Sequence, residues 1–144
     1  MNEYDQTEIL LVEDNQHEAE LTILAIKKSN LTELVHWVSD GEEAVDFLFA
    51  QGRYAGRDIT IQPKIILLDL KMPKFNGWEV LKKIKESPYT SKVQVIILTS
   101  SGLREDIHEG IKAEVSNYLI KPTNFDEFVN KLHKELGFYW GLFK

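Results

Sequence analysis

Short apolar runs recur along the chain at Ile9–Val12, Leu34–Val38, Ile65–Leu68, Val93–Leu98 and Tyr118–Ile120. Each has the length of a strand, and near-continuous apolarity marks a strand covered on both faces. Between the runs the spacing turns helical. Leu21, Leu24 and Ala25 share one face, as do Ala44, Val45 and Leu48, then Val80, Leu81 and Ile84, then Leu103, Ile107 and Ile111. The last stripe is the clearest: Phe125, Phe128, Val129, Leu132 and Leu136 keep helical spacing, and Asn124 with Glu127 three residues on fits an N-cap signature. We number the strands β1 to β5 and the helices α1 to α5 in this order.

Alternation of strand and helix predicts a parallel sheet with helices on both faces. Right-handed crossovers restrict its topology. β1, β3 and β4 are almost purely apolar and belong at the centre, whereas β2 contains His36 and suits an edge. These choices give a flavodoxin-like (βα)5 doubly wound sheet with strand order 2-1-3-4-5. The stretch Ala50 to Pro63 is long for a helix-to-strand loop, which normally takes about 2–6 residues. A chain of 144 residues fits a single domain, residues 1 to 144, with one aromatic tail at 137 to 144 that holds Phe138, Tyr139, Trp140 and Phe143.

In open α/β sheets, ligands bind outside the carboxyl ends of the strands, where strand order reverses. Glu13 and Asp14 follow β1, Asp69 follows β3, Thr99 and Ser100 follow β4, and Lys121 and Pro122 follow β5. The topology therefore gathers three carboxylates, a hydroxyl and an ammonium on one edge. Two carboxylates ~4 Å apart repel by about 4 kcal/mol at an effective dielectric of 20. A divalent cation relieves that repulsion, and an all-oxygen donor set favours Mg²⁺, Mn²⁺ or Ca²⁺. A hydroxyl donor and a point positive charge suit a phosphoryl group. Together they point to phosphoryl transfer with Asp69 as acceptor, since an aspartyl phosphate is an established kind of covalent intermediate.

Composition narrows the field. There is no cysteine, which excludes disulfides, thiol catalysis and cysteine metal sites, and suits a cytoplasmic protein. The net charge of −6 argues against direct nucleic-acid binding. No apolar run approaches the ~20 residues of a membrane span, and no secretory signal is visible. His17, His36, His108 and His133 lack metal-ligand spacing and read as structural or surface residues.

The segments "LLVEDN", "ILLDLKMPKFNGWEV", "VIILTSS" and "YLIKP" resemble, in order and spacing, the motifs of the receiver domain of bacterial two-component response regulators. The likeness covers nearly the whole chain. The "GRYAGR" stretch and the long α5 with its aromatic end are similar to single-domain regulators that serve phytochrome kinases. The resemblance implies that Asp69 is the phosphoacceptor and that Glu13 and Asp14 form the acidic pair, with Asp14 the direct Mg²⁺ (or Mn²⁺) ligand. It implies that the Lys71 backbone carbonyl completes the metal shell and that Thr99 binds a phosphoryl oxygen and moves on activation. Lys121 would pair with the phosphoryl group, joined to Pro122 by a cis peptide, and Tyr118 would be the aromatic switch residue. The implied protein is a signalling switch rather than an enzyme that turns over substrate. It takes its phosphoryl group from a sensor histidine kinase, with a phytochrome-type kinase as the narrower candidate. No output domain follows α5, so the expected output is protein contact, including a homodimer through α4–β5–α5 or the tail.

Two readings from other classes fit less well. A phosphatase of the haloacid dehalogenase type resembles D-x-D after the first strand, whereas here the nucleophile candidate follows β3. A flavodoxin needs a Ser/Thr/Gly loop after β1 to cradle a phosphate, and Glu13 and Asp14 occupy that place.

Overall fold

A computed structural model describes residues 2 to 69, 77 to 99 and 117 to 140. The strands are β1 Ile9–Val12, β2 Val35–Val38, β3 Ile65–Leu68, β4 Gln94–Thr99 and β5 Asn117–Ile120. They form one five-stranded sheet in the order β2-β1-β3-β4-β5, and every neighbouring pair is parallel. This is the expected doubly wound topology. The described helices are α1 Gln16–Lys28, α2 Gly41–Leu48, α3 Gly77–Glu86 and α5 Phe125–Trp140. The expected α4, with Leu103, Ile107 and Ile111, lies outside the described residues.

Side chains alternate between the two faces of a strand, and the core divides accordingly. Leu10, Val12, Ile66, Leu68, Val95 and Ile97 pack with Ala44, Phe47 and Leu48 of α2 and with Val80, Leu81 and Ile84 of α3. Ile9, Leu11, Ile65, Leu67, Ile96 and Leu98 pack on the other face with Ala19, Ala25 and Ile26 of α1 and Phe128, Leu132 and Leu136 of α5. Fully burying one such side chain stabilises by roughly 1.5–3 kcal/mol. β1 and β3 are buried at every position, so they hold the central register that fixes where their carboxyl ends emerge.

The aromatic tail divides. α5 runs on through Trp140, whose side chain is 8% exposed and joins the core face shared with α1. Lys64 lies over the Trp140 ring, 4.7 Å from its centroid, and also donates to Glu8 Oε2 at 2.7 Å. Phe138 points the other way and is 69% exposed. Part of the tail therefore covers its own domain, and Phe143 lies outside the described residues.

The long stretch before β3 is not a bare loop. Gly52–Tyr54 form a 3-10 turn whose first residue has φ +54, and a Cβ there would meet Asp46 Oδ2 at 2.8 Å, so glycine is required. Tyr54 is fully buried beside Tyr4, His36 and Phe47. Arg57, also buried, pairs through Nε with Asp5 Oδ1 at 3.2 Å and donates to the carbonyls of Phe47 and Ile61. A second 3-10 turn, Glu3–Gln6, brings Asp5 and Tyr4 into this cluster. His36 thus sits on an edge strand that these segments cover, which explains a half-buried imidazole there.

The candidate site at the carboxyl edge of the sheet

Parallel pairing sets Val12 beside Leu68, so the residues that follow them emerge together. The Asp69 amide donates to the Val12 carbonyl at 3.0 Å, and the Glu13 amide to the Val38 carbonyl at 3.1 Å. Each backbone is thereby pinned one residue beyond its strand. Carboxylate oxygens of Glu13, Asp14 and Asp69 all lie within 4.8 Å of one another. Glu13 is buried at 2% exposure, Asp69 is half-buried and Asp14 is exposed. The Trp37 indole donates to the Glu13 carbonyl at 2.6 Å and holds the turn after β1 against β2.

Lys121 completes the cluster. Its Nζ lies 2.6 Å from Glu13 Oε1 and 3.4 Å from Glu18 Oε2. Asn15 caps α1 by accepting from the Glu18 amide at 2.9 Å, which orients the first turn that carries Glu18. A groove of ≈ 300 Å³ opens beside Lys121, lined by Glu18, Leu21, Pro122, Thr123, Phe125 and Phe128.

The electrostatics record a crowded site. Burial pushes the Glu13 carboxyl above its ordinary range, the nearby Asp69 carboxylate raises it further, and Lys121 offsets only part of this. Asp14 is likewise raised, first by burial and then by Glu13. Burial opposes the charge on Lys121, yet the hydrogen bond and charge of Glu13, with Glu18 and Asp69, hold its ammonium above the usual lysine range. Glu13 and Lys121 are an ion pair, but their shifts are not mirror images. Asp69 favours the lysine's charge and opposes that of Glu13, while Glu18 adds only to the lysine.

The structure thus brings together Glu13, Asp14, Asp69 and Lys121. Lys71 lies outside the described residues, as does the side chain of Thr99, whose backbone ends β4 opposite Ile120. Tyr118 is half-buried in β5, opposite Ile97, and packs against the α2–α3 core. The expected cis bond at Lys121–Pro122 is corrected: no cis peptide occurs among the described residues. Trans is the lower-energy form of an X–Pro amide by about 0.5–1 kcal/mol, and Lys121 reaches Glu13 without the cis form. Glu18 escaped the sequence reading. Its signal was its spacing, one helical turn beyond Asp14 on a capped helix start.

Fold and site define a doubly wound α/β domain with an acidic, lysine-completed cluster at its topological switch point. Residues 9–133 match the family model described as the response regulator receiver domain, and the chain belongs to that family. It is 37% identical over 133 residues to the probable methanogenesis regulatory protein FilR2 of Methanothrix harundinacea, covering 92% of this chain and 82% of that protein. It is 33% identical over 132 residues to the response regulator Rcp1 of Synechocystis, covering 92% and 87%. Among solved structures it resembles the phosphorylated cyanobacterial phytochrome response regulator RcpA, at TM-score 0.81 and 34% identity, covering 93% of each chain. The Mn²⁺-bound form of Rcp1 aligns at TM-score 0.80 over 92% of this chain and 93% of that one.

The protein is therefore a receiver domain of the two-component type, a phosphorylation-activated signalling switch. Receiver domains of this family interact with histidine kinases. Among the described residues, no helix is long and apolar enough to cross a membrane.

Proposed function

We propose that this chain accepts a phosphoryl group from a histidine kinase on Asp69, assisted by Mg²⁺ held by Glu13, Asp14 and Asp69. The observation that carries this reading is the carboxylate trio within 4.8 Å, with a buried lysine ammonium on the same cluster. The donor set is all oxygen and crowded with like charge, which fits a hard divalent cation. The Mn²⁺-bound form of Rcp1 supports a divalent ion in such a site. When bound, Mg²⁺ supplies positive charge against the carboxylates and the incoming phosphoryl oxygens. Asp14, exposed just before α1, would be the direct ligand among the acidic pair, and the Lys71 carbonyl would complete the shell.

In the transfer, an Asp69 carboxylate oxygen forms a bond to phosphorus while the donor's P–N bond breaks. The bonding pair leaves with the imidazole, and no oxidation or reduction occurs. Catalysis is positioning plus charge neutralisation. Asp69 is aimed by its backbone bond to Val12. Lys121 leaves Glu13 to pair with a phosphoryl oxygen, and Thr99 binds another and draws Tyr118 inward. The groove beside Lys121 gives a kinase a seat next to the acceptor. Likeness to a phytochrome response regulator supports a phytochrome-type kinase as donor, and the absence of cysteine supports a cytoplasmic setting. The exposed Phe138 supports a homodimer through α5, with β5 and α4 as the expected remainder of that surface.

Incubation with acetyl phosphate and Mg²⁺ tests the assignment by intact-mass measurement. Wild type gains one phosphoryl group, and Asp69→Asn gains none. Equal labelling of the two would remove Asp69 from the role.

A further inference from the structure

Two carboxylates contact Lys121, and only one of them belongs to the acidic trio. Glu13 Oε1 lies 2.6 Å from Nζ, and Glu18 Oε2, from the first turn of α1, lies 3.4 Å away. Glu18 is not a member of the Glu13–Asp14–Asp69 cluster. Asn15 Oδ1 accepts its amide at 2.9 Å and caps the first turn of α1 that carries it. Its side chain is 45% exposed while that of Lys121 is 9% exposed. The ammonium is thus held inside the site, and Glu18 approaches it from the solvent rim.

On the reading of Asp69 as acceptor, Lys121 must exchange a carboxylate partner for a phosphoryl oxygen. Glu13 makes the shorter contact with the ammonium, at 2.6 Å, and Glu18 adds a second at 3.4 Å. We propose that Glu18 is a positioning residue that holds Lys121 in the resting arrangement and competes with the phosphoryl group for its ammonium. A ligand shifts a two-state equilibrium only by its differential interaction with the two states. Glu18 touches Lys121 in the resting state, and that contact is given up when the ammonium turns to a phosphoryl oxygen. Its presence therefore favours the unphosphorylated arrangement.

The test uses beryllofluoride with Mg²⁺ as a non-transferring phosphoryl analogue, titrated by calorimetry into wild type, Glu18→Gln and Glu18→Asp. Glu18→Gln is expected to bind the analogue about twofold to fivefold more tightly, the scale of a half-exposed ion pair. Its affinity for Mg²⁺ alone is expected not to rise, because a nearby negative charge has gone. Damage to the site would weaken both, so a fall in analogue affinity overturns the proposal. Glu18→Asp keeps the charge but withdraws the carboxylate from Lys121. Competition by contact places it with Glu18→Gln, whereas agreement with wild type would mean a field effect and overturns the proposal. Wild-type binding that Asp69→Asn abolishes, with no change in Glu18→Gln, overturns this inference alone. Absence of analogue binding in wild type overturns the phosphoacceptor reading and this inference with it.

Discussion

Glu13 and Glu43 are the same residue type, both largely withdrawn from water, and they come to opposite electrostatic ends. Glu43 accepts from the Tyr54 hydroxyl at 2.6 Å, the Ser39 amide at 3.0 Å and hydroxyl at 3.3 Å, and Arg53 at 3.4 Å. Burial opposes its ionisation, but these donors together hold its carboxyl below the ordinary range. Glu13 has Lys121 and a long contact from the Asn15 amide, and it faces two further carboxylates. Its carboxyl is held above the ordinary range. The cluster over β2 is a polar network satisfied from within, and it behaves as structure. The cluster at the carboxyl edge is organised against its own charge, as functional sites are. On the reading of Asp69 as acceptor, a divalent cation would offset that charge.

The largest expected effect lies in the β2 cluster. Arg57→Ala leaves Asp5, whose side chain is 4% exposed, without its cation. Removing one partner of a buried pair costs about 3–5 kcal/mol. Urea unfolding is expected to show that loss, while the folded fraction still takes one phosphoryl group from acetyl phosphate. A loss of both together would break the division between structural and functional regions.

Asp14→Asn is expected to change stability in the opposite direction. Without metal, relief of like charge at an exposed position raises unfolding free energy by a few tenths to about 1 kcal/mol. Calorimetry is expected to show Mg²⁺ binding weakened more than in Glu13→Gln. A destabilised Asp14→Asn would mean that the trio is not strained by its own charge.

Acid titration sharpens the comparison from the other side. The folded Glu43 carboxyl is depressed, so its stabilisation is present above the ordinary glutamate range and lost as pH falls through the depressed value. Tyr54, Ser39 and Arg53 bond it, and His36 also feels its charge. Burial depresses the His36 imidazole, so its share is lost earlier, as pH falls below the ordinary histidine range. Glu43→Gln is expected to flatten the lower of these two limbs and, because the Glu43 charge supports protonation of His36, to enlarge the histidine limb. Chemical unfolding at successive pH values reads both, and an unchanged lower limb would count against the Glu43 network.

The smallest effect is expected at the end of α5. Phe138→Ser changes an exposed side chain, so stability stays within about 0.5 kcal/mol. Sedimentation of the phosphorylated protein is expected to show weaker self-association. Unchanged association would remove this face of α5 from the dimer.

The hydrophobic pattern by itself determined the strands, the described helices α1, α2, α3 and α5 over their core stripes, and the sheet order. Period and strand length are local properties, and chirality leaves few ways to wind a parallel sheet. It also determined which residues meet at the site, because Glu13, Asp14, Asp69 and Lys121 each follow a strand directly. Tertiary structure decided the rest. Glu18 reaches Lys121 across 103 residues of chain, and the Trp37 indole reaches Glu13 across 24. Trp140 is core, where the aromatic tail was expected to form an interface, while Phe138 two residues earlier faces solvent. Arg57 and Asp5 made a buried staple of a stretch that reads as loop, and the bond at Pro122 stayed trans. Such contacts depend on how far a side chain reaches once helices and sheet have docked. Neither periodicity nor strand order encodes that distance, because it is set by packing between elements remote in sequence.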